Sequence, residues 1–320
     1  MRRRTALSLA GAGLLAACGA LPRVSGLPWP DDARIVETAS GRELTAPSLV
    51  ERILATPIVL LGERHDNPAH HRLRAELIDR WGRRARDRPH AVVFEQLDRE
   101  HEPALREAQR RQPASGPTPS GASSSGASSS GAAAASGAAI AHRLDLAGFD
   151  RTAWRWPLHQ PLFEAADRIG AIWIAANFSR AAAGRLMRPP PGGAPSVDPA
   201  LAAMVDSARW DDAAQQALEA ALRAGHCNLL PEAAIPGIAR VQRLRDAALA
   251  LPLLDAAERR MILIAGNGHV RRDFGVPRYL GAFEQAALVV GFEEGELPAD
   301  AAAMYDVVVL ATPVARKSPC

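Results

Sequence analysis

The sequence predicts an α/β fold: a mostly parallel central sheet with helices on both faces and a ligand site at the carboxyl ends of the strands. Three observations carry this. Short apolar runs recur along the chain and are continuous rather than alternating, as in strands covered on both faces. Helix-length amphipathic stretches separate them, the pattern of parallel strands joined by helical crossovers. Polar residues gather just after the apolar runs, where open parallel sheets bind ligands.

Residues 1–17 precede the fold. The stretch "MRRRTALSLAGAGLLAAC" opens on Arg2, Arg3 and Arg4, continues with an apolar run from Ala6 to Ala17 and reaches Cys18 through small residues. That is the layout of a secretory signal, too short and wrongly flanked for a spanning helix. Its end, "LAAC", resembles a bacterial lipobox, which implies cleavage before Cys18 and lipidation of that cysteine. Gly19, where an aspartate would resemble an inner-membrane retention signal, points to the outer membrane of a bacterial cell envelope. Residues 18–50 read as a tether and lead-in, residues 51–312 as the α/β domain and residues 313–320 as a tail. No later segment is long and apolar enough to cross a membrane.

Within the domain, six runs read as strands: "PIVLLGE" (57–63), "HAVVFEQ" (90–96), "AIWIAANF" (171–178), "RMILIAGNG" (260–268), "AALVVGF" (286–292) and "YDVVVLA" (305–311). Helical patterns lie between them at 68–86, 99–112, 161–168, 212–224 and 236–251. Residues 113–139, nearly all Ser, Gly, Ala and Pro, bury too little surface to offset their ordering entropy and read as a flexible insertion.

Charge and cysteine content narrow the function classes. The chain has 38 basic and 35 acidic residues, and loss of Arg2, Arg3 and Arg4 with the leader leaves 35 against 35. A balanced mature chain gives no support to nucleic-acid binding. Cys227 and Cys320 follow Cys18; they are able to pair in an oxidising compartment, although Cys320 is the last residue.

Four strand ends carry polar groups: Glu63 and His65, Glu95 and Gln96, Asn177 with Arg180 behind it, and Asn267 with His269. The densest stretch is "LLGERHDNPAHH" (60–71), which holds three of the nine histidines. Asp66-Asn67-Pro68 reads as a capped helix start, which puts His70 and His71 in the first turn. His70 shares a stripe with Leu73, Leu77 and Trp81 and points inward as a neutral imidazole; His71 turns away toward Ile78. Gly62-Glu63-Arg64-His65 and Gly266-Asn267-Gly268-His269 are both Gly-x-x-His after an apolar strand. Their imidazoles, with Glu95 or Glu63, suit a divalent metal or the edges of a planar cofactor. The segment "FDRTAWRWPLHQPLFEAA" (149–166) adds Trp154, Trp156, His159 and Phe163, an aromatic cluster able to pack on a macrocycle with His159 on its iron. G-x-S-x-G, a Walker loop and a G-x-G-x-x-G after the first strand are all missing from the sequence.

In this order, "LLGERHDNPAHH", "VVFEQLD", "WRWPLHQPL", "AGHCNLLPEAAIPG", "VQRLRDAAL" and "LIAGNGHVRRDFGVP" resemble the ChaN-like lipoproteins, over about residues 58–279. That family is associated with haem binding and iron uptake. It is grouped with Tiki-type and TraB/PrgY-type proteins and erythromycin esterase relatives. The resemblance implies a haem-binding role near the outer membrane, with Arg64, Arg180 or Arg271 for the propionates, and leaves room for a homodimer with cofacial ligands. Haem-binding relatives can use a tyrosine for iron; this chain has only Tyr279 and Tyr305, and offers His159 in the aromatic segment. The wider superfamily's paired Gly-x-x-His signature maps onto His65 and His269 and implies a second function. In it a metal on His65, His269 and Glu95 serves hydrolysis, with Glu63 or Glu95 activating water.

Overall fold

Eight strands of the described residues form one sheet, in the spatial order β2-β1-β8-β7-β3-β6-β4-β5. In this computed structural model the described residues are Trp29, 33–85, 88–111, 129–188 and 197–316; Cys18 and Cys320 lie outside them. The strands are β1 (Arg34–Glu37), β2 (Glu43–Leu44), β3 (Ile58–Leu61), β4 (His90–Asp98), β5 (Ile172–Asn177), β6 (Arg260–Ile264), β7 (Ala287–Glu294) and β8 (Val307–Ala311). All six predicted strands are present as β3–β8, and every pairing among them is parallel. Central β3 lies between β6 and β7, with Leu61 opposite Ile264 on one side and Val290 on the other. The sheet's order reverses there, so ligand-bearing loops splay apart above β3.

The helices are α1 (Ala46–Ala55), α2 (Pro68–Arg84), α3 (Glu102–Arg111), α4 (Ser129–Leu146), α5 (Gln160–Arg168), α6 (Arg180–Met187), α7 (Pro199–Ser207), α8 (Asp212–Gly225) and α9 (Ile235–Ala250), with single turns α10 (Asn267–Val270) and α11 (Ala301–Met304). They divide between the two faces as the uninterrupted apolar strands require. Val59 and Leu61 of β3 join the core under α1, α2 and α5, whereas Ile58 and Leu60 join the core under α9. Among the described residues no helix is long and apolar enough to cross a membrane.

Two stretches differ from the expectation. The lead-in is part of the fold from Arg34 onward: β1 pairs antiparallel with β8, Ile35 opposite Val309, and α1 follows. A four-residue strand of mixed polarity is too short to show a period. In the insertion, α4 begins at Ser129, so residues 129–139 are helical rather than flexible. Their alanines have the highest helix propensity of any residue. Residues 113–128 lie outside the described set.

The outer edge of the sheet, β5, is closed by side chains of α3. Gln109 accepts from Trp173 N at 2.7 Å and donates to Trp173 O at 2.9 Å, as a neighbouring peptide would. Glu102 accepts from Ala175 N at 2.7 Å. Covering an edge in this way satisfies groups that would otherwise recruit another strand. Gln109→Ala should therefore cost about 1–3 kcal/mol, the penalty of orphaned backbone groups, read as a lower urea midpoint with unchanged slope.

Candidate functional site

The site starts with a buried carboxylate. β3 ends at Leu61 and delivers Glu63, whose side chain is fully buried. Its Oε2 pairs with the guanidinium of Arg74, also fully buried, and lies 3.1 Å from His71 Nδ1. Its Oε1 is 2.6 Å from His65 Nδ1 and 3.3 Å from both Gln96 Nε2 and His159 Nε2. The carbonyls bonded to two of these rings define their tautomers. His71 Nε2 donates to His65 O at 3.0 Å, so Nδ1 is the lone pair that accepts from Arg74. His159 Nδ1 donates to Trp154 O at 2.9 Å, which turns its Nε2 lone pair toward Glu63. Burial pushes His71 down to about 4 and His159 down to about 2, the latter helped by the Arg74 guanidinium nearby. Burial also pulls Arg74 down to about 9, still protonated at neutral pH.

A second buried cluster stands beside the first. Asp246 of α9 accepts from His269 Nδ1 at 2.6 Å, and His269 Nε2 lies 3.4 Å from Glu95. Burial alone would lower the His269 imidazole, but the carboxylates of Glu95 and Asp246 on its two sides raise it to about 10. Burial raises Asp246 to about 6. Burial opposes ionisation of Glu95 as well, yet His269 and His65 hold it below the usual carboxylate range. Glu95 also accepts from Gly266 N at 2.6 Å.

The glycines of the paired motifs are explained by close approach. A Cβ on Gly266 would stand 2.9 Å from the His65 ring, and one on Gly62 would stand 2.2 Å from Asn267 Oδ1. Bare backbone at these two points lets the ends of β3 and β6 share one site.

Above the two clusters is a cleft of about 570 Å³ walled by His65, Glu95, Trp154, Asn177, Phe178 and Arg180. A smaller cavity of about 310 Å³ opens between His65, Asp66, Trp154, Arg155 and His159. His65 and Trp154 border both. The His65 side chain is 49% exposed, and its ring meets the Trp154 ring edge-on at 5.0 Å. A third cavity, also about 570 Å³, lies against the β5 edge around Ile172, Ile174 and Arg259.

Several expected site residues have structural partners. Asn267 spends both ends of its amide on the backbone of Phe292, at 2.6 and 3.1 Å. Asn177 donates to Glu95 O and accepts from Phe178 N, at 3.0 and 2.9 Å. Trp156 packs edge-on against Phe149 in the core. Arg64 pairs with Glu293 at 3.1 Å and Arg271 with Asp273 at 2.6 Å. Arg180 is exposed on the cleft wall. His159 is 1% exposed, a floor beneath His65 rather than a group on the cleft surface. Tyr279 and Tyr305 are buried, with hydroxyls on Arg243 and Glu293, and burial raises both.

The donor atoms that converge are those of Glu63, His65 and His159, all within 4.8 Å of one another. The set expected from the paired motifs, His65, His269 and Glu95, is split between the two clusters: His269 carries a carboxylate on each nitrogen. His70 is the inward support expected of it, accepting from Arg64 N at 3.0 Å. His71 is not turned to the outside; it is fully buried. The reason is that α2 is covered by α1 and α5 as well as by the sheet, so its buried face spans more than one stripe. Arg74 and Asp246 were missed because a charged residue interrupts an apolar pattern. The spacing His71, Arg74, Ile78 does mark a second buried face of the helix.

This is an α/β protein whose parallel strands bring imidazoles and carboxylates to an aromatic-walled cleft. Residues 49–280 match the family described as haem-binding uptake, Tiki superfamily, ChaN, and the chain belongs to that family. The solved structure of cofacial heme binding to ChaN of Campylobacter jejuni is similar over 88% of this chain and 97% of its own, at 16% identity and a TM-score of 0.63. The type III effector HopBA1 is similar at 14% identity, over 82% of this chain and 91% of its own, with a TM-score of 0.41. An EreC erythromycin esterase mutant gives 16%, 83%, 78% and 0.36 for the same quantities. No curated protein matches the chain by sequence.

The buried network makes two outcomes testable. Arg74→Met should cost about 3–5 kcal/mol by leaving Glu63 charged and unpaired, and adding Glu63→Gln should restore most of it. The second concerns acid. Burial holds His70 and His71 at about 4, below their ordinary 6.5. Between these values the unfolded chain takes up protons that the folded chain refuses, so stability falls as the pH drops. Each of the two groups removes about 1.4 kcal/mol for every tenfold rise in proton concentration across that range. Urea midpoints measured at pH ~7.5 and ~5 should show the loss; equal midpoints would contradict it.

Proposed function

We propose that this chain is a lipid-anchored protein of the bacterial envelope that binds haem in the course of haem or iron uptake. The observation that carries the reading is the half-exposed His65 imidazole at the cleft mouth, oriented by Glu63 and flanked by Trp154. With Nδ1 on Glu63 Oε1 at 2.6 Å, Nε2 is left as the free donor. A carboxylate on the far nitrogen fixes ring orientation and strengthens the imidazole as a ligand. Haem, when bound, supplies the iron chemistry. His65 would hold the iron, since both tyrosines are buried and His159 lies below the surface. Trp154 supplies an aromatic wall. Arg155 and Arg64, with side chains 66% and 52% exposed, and Arg180 would be available to the propionates. The lipobox at Cys18 supports anchoring, and Gly19 the outer membrane. A homodimer that brings two clefts face to face would match the cofacial heme binding described for ChaN of Campylobacter jejuni.

A second reading follows from the converging donors of Glu63, His65 and His159, a nitrogen- and oxygen-rich set suited to a divalent metal. Haem titration separates the two. A saturable Soret shift, weakened roughly tenfold or more in His65→Ala and kept in His269→Ala, is the expected result; loss of an axial imidazole removes a direct ligand to iron. No Soret shift, with a tightly held divalent metal that His159→Ala releases, would overturn the haem reading in favour of the metal.

A further inference from the structure

Residues 312–316 follow β8, lie beyond the family match that ends at residue 280, and return to the turn that carries His65. Arg316 donates through Nε and one terminal nitrogen to the two oxygens of Asp66, each at 2.6 Å. Its terminal nitrogens also reach the two oxygens of Glu294, at 2.6 and 2.7 Å. One guanidinium thus forks two carboxylates, the geometry in which arginine binds most firmly. Glu294 accepts in addition from Asn67 Nδ2 at 2.6 Å, and the same amide nitrogen is 3.3 Å from Thr312 O.

The backbone ties of residues 64–67 are local. Arg64 N is held by His70, His65 O by His71, and Asn67 N by Arg64 O at 3.0 Å. Asp66, beside His65, is held from a residue 250 positions away. It also lies 3.7 Å from Arg155, which lines the smaller cavity with His65.

We propose that Arg316 is a positioning residue of the ligand site: by clamping Asp66 against Glu294 it fixes the turn that presents His65 to the cleft and keeps Asp66 beside Arg155. The identity of the ligand that His65 meets rests on the haem reading; the clamp on the turn does not. Without the guanidinium, Asp66 and Glu294 lose their shared counter-charge, and Asp66 keeps only the longer contact with Arg155, while Arg64 on Glu293 and Asn67 on Glu294 still hold the turn on either side of it.

Hydrogen exchange in the ligand-free full chain tests the clamp, and haem titration tests its consequence. In Arg316→Gln, amides of residues 64–67 should exchange roughly tenfold faster, as expected for loss of charge-assisted bonds, with the sheet unchanged. Haem affinity should fall by a similar factor, and the visible bands should shift toward weaker axial ligation, a change that a merely structural role would not produce. Arg316→Lys should recover part of both effects. In an Asp66→Asn background Arg316→Gln should add little, which guards against a general loss of folding. Unchanged exchange in Arg316→Gln overturns the proposal. Faster exchange with unchanged haem affinity and spectrum also overturns it, because the clamp would then not serve the site. Faster exchange in a chain whose wild type binds no haem defeats the haem reading and leaves the clamp standing.

Discussion

The ion pair between Glu63 and Arg74 is the interaction on which the site depends. A carboxylate withdrawn from water at the end of the central strand is tolerable only with a counter-charge and a full set of donors. Arg74 reaches one of its oxygens from the second turn of α2, and His65 and Gln96 converge on the other. Each imidazole beside it is thereby held: His71 in one tautomer, His65 with one nitrogen committed and the other free. The arrangement ties the order of the sheet to the orientation of an exposed imidazole, because Glu63 can occupy that position only where β3 runs between β6 and β7.

The two Gly-x-x-His motifs, alike in sequence, do different work. His65 is half exposed, hydrogen-bonded to one carboxylate and open on its other side. His269 is enclosed, with carboxylates at both nitrogens that keep it protonated. With those carboxylates on both sides the imidazole is a positive centre inside the fold. It offsets part of the negative charge that Glu95 and Asp246 bring together where β4 and α9 meet. Gly62 and Gly266 then serve the contact between the motifs.

Most of the parallel sheet was legible because a strand buried on both faces shows itself as an unbroken apolar run, as in β3 and β6. The strand-end rule pointed to Glu63, His65, Glu95 and His269 from position alone. What stayed hidden has a common physical origin. β1 and β2 are too short to carry a period. Arg74 and Asp246 are charges inside the fold, and pattern reading takes a charge for a surface. His71 shares a helix turn with His70, yet the width of the buried face depends on α1 and α5, whose packing a single helix does not reveal. The tie from Arg316 to Asp66 spans most of the chain and has no local signature.

The closure of β5 by Gln109 sets a limit on how copies of this chain can meet. With one margin of the sheet already occupied by a side chain that mimics a peptide, and the other ending in the two residues of β2, neither margin offers a strand-length ladder to a second molecule. Assembly by continuing the sheet would first have to break bonds the monomer already makes. Any pairing of copies through the sheet is thereby disfavoured, and the cleft lies at the strand ends near β3 and β4 rather than along either margin.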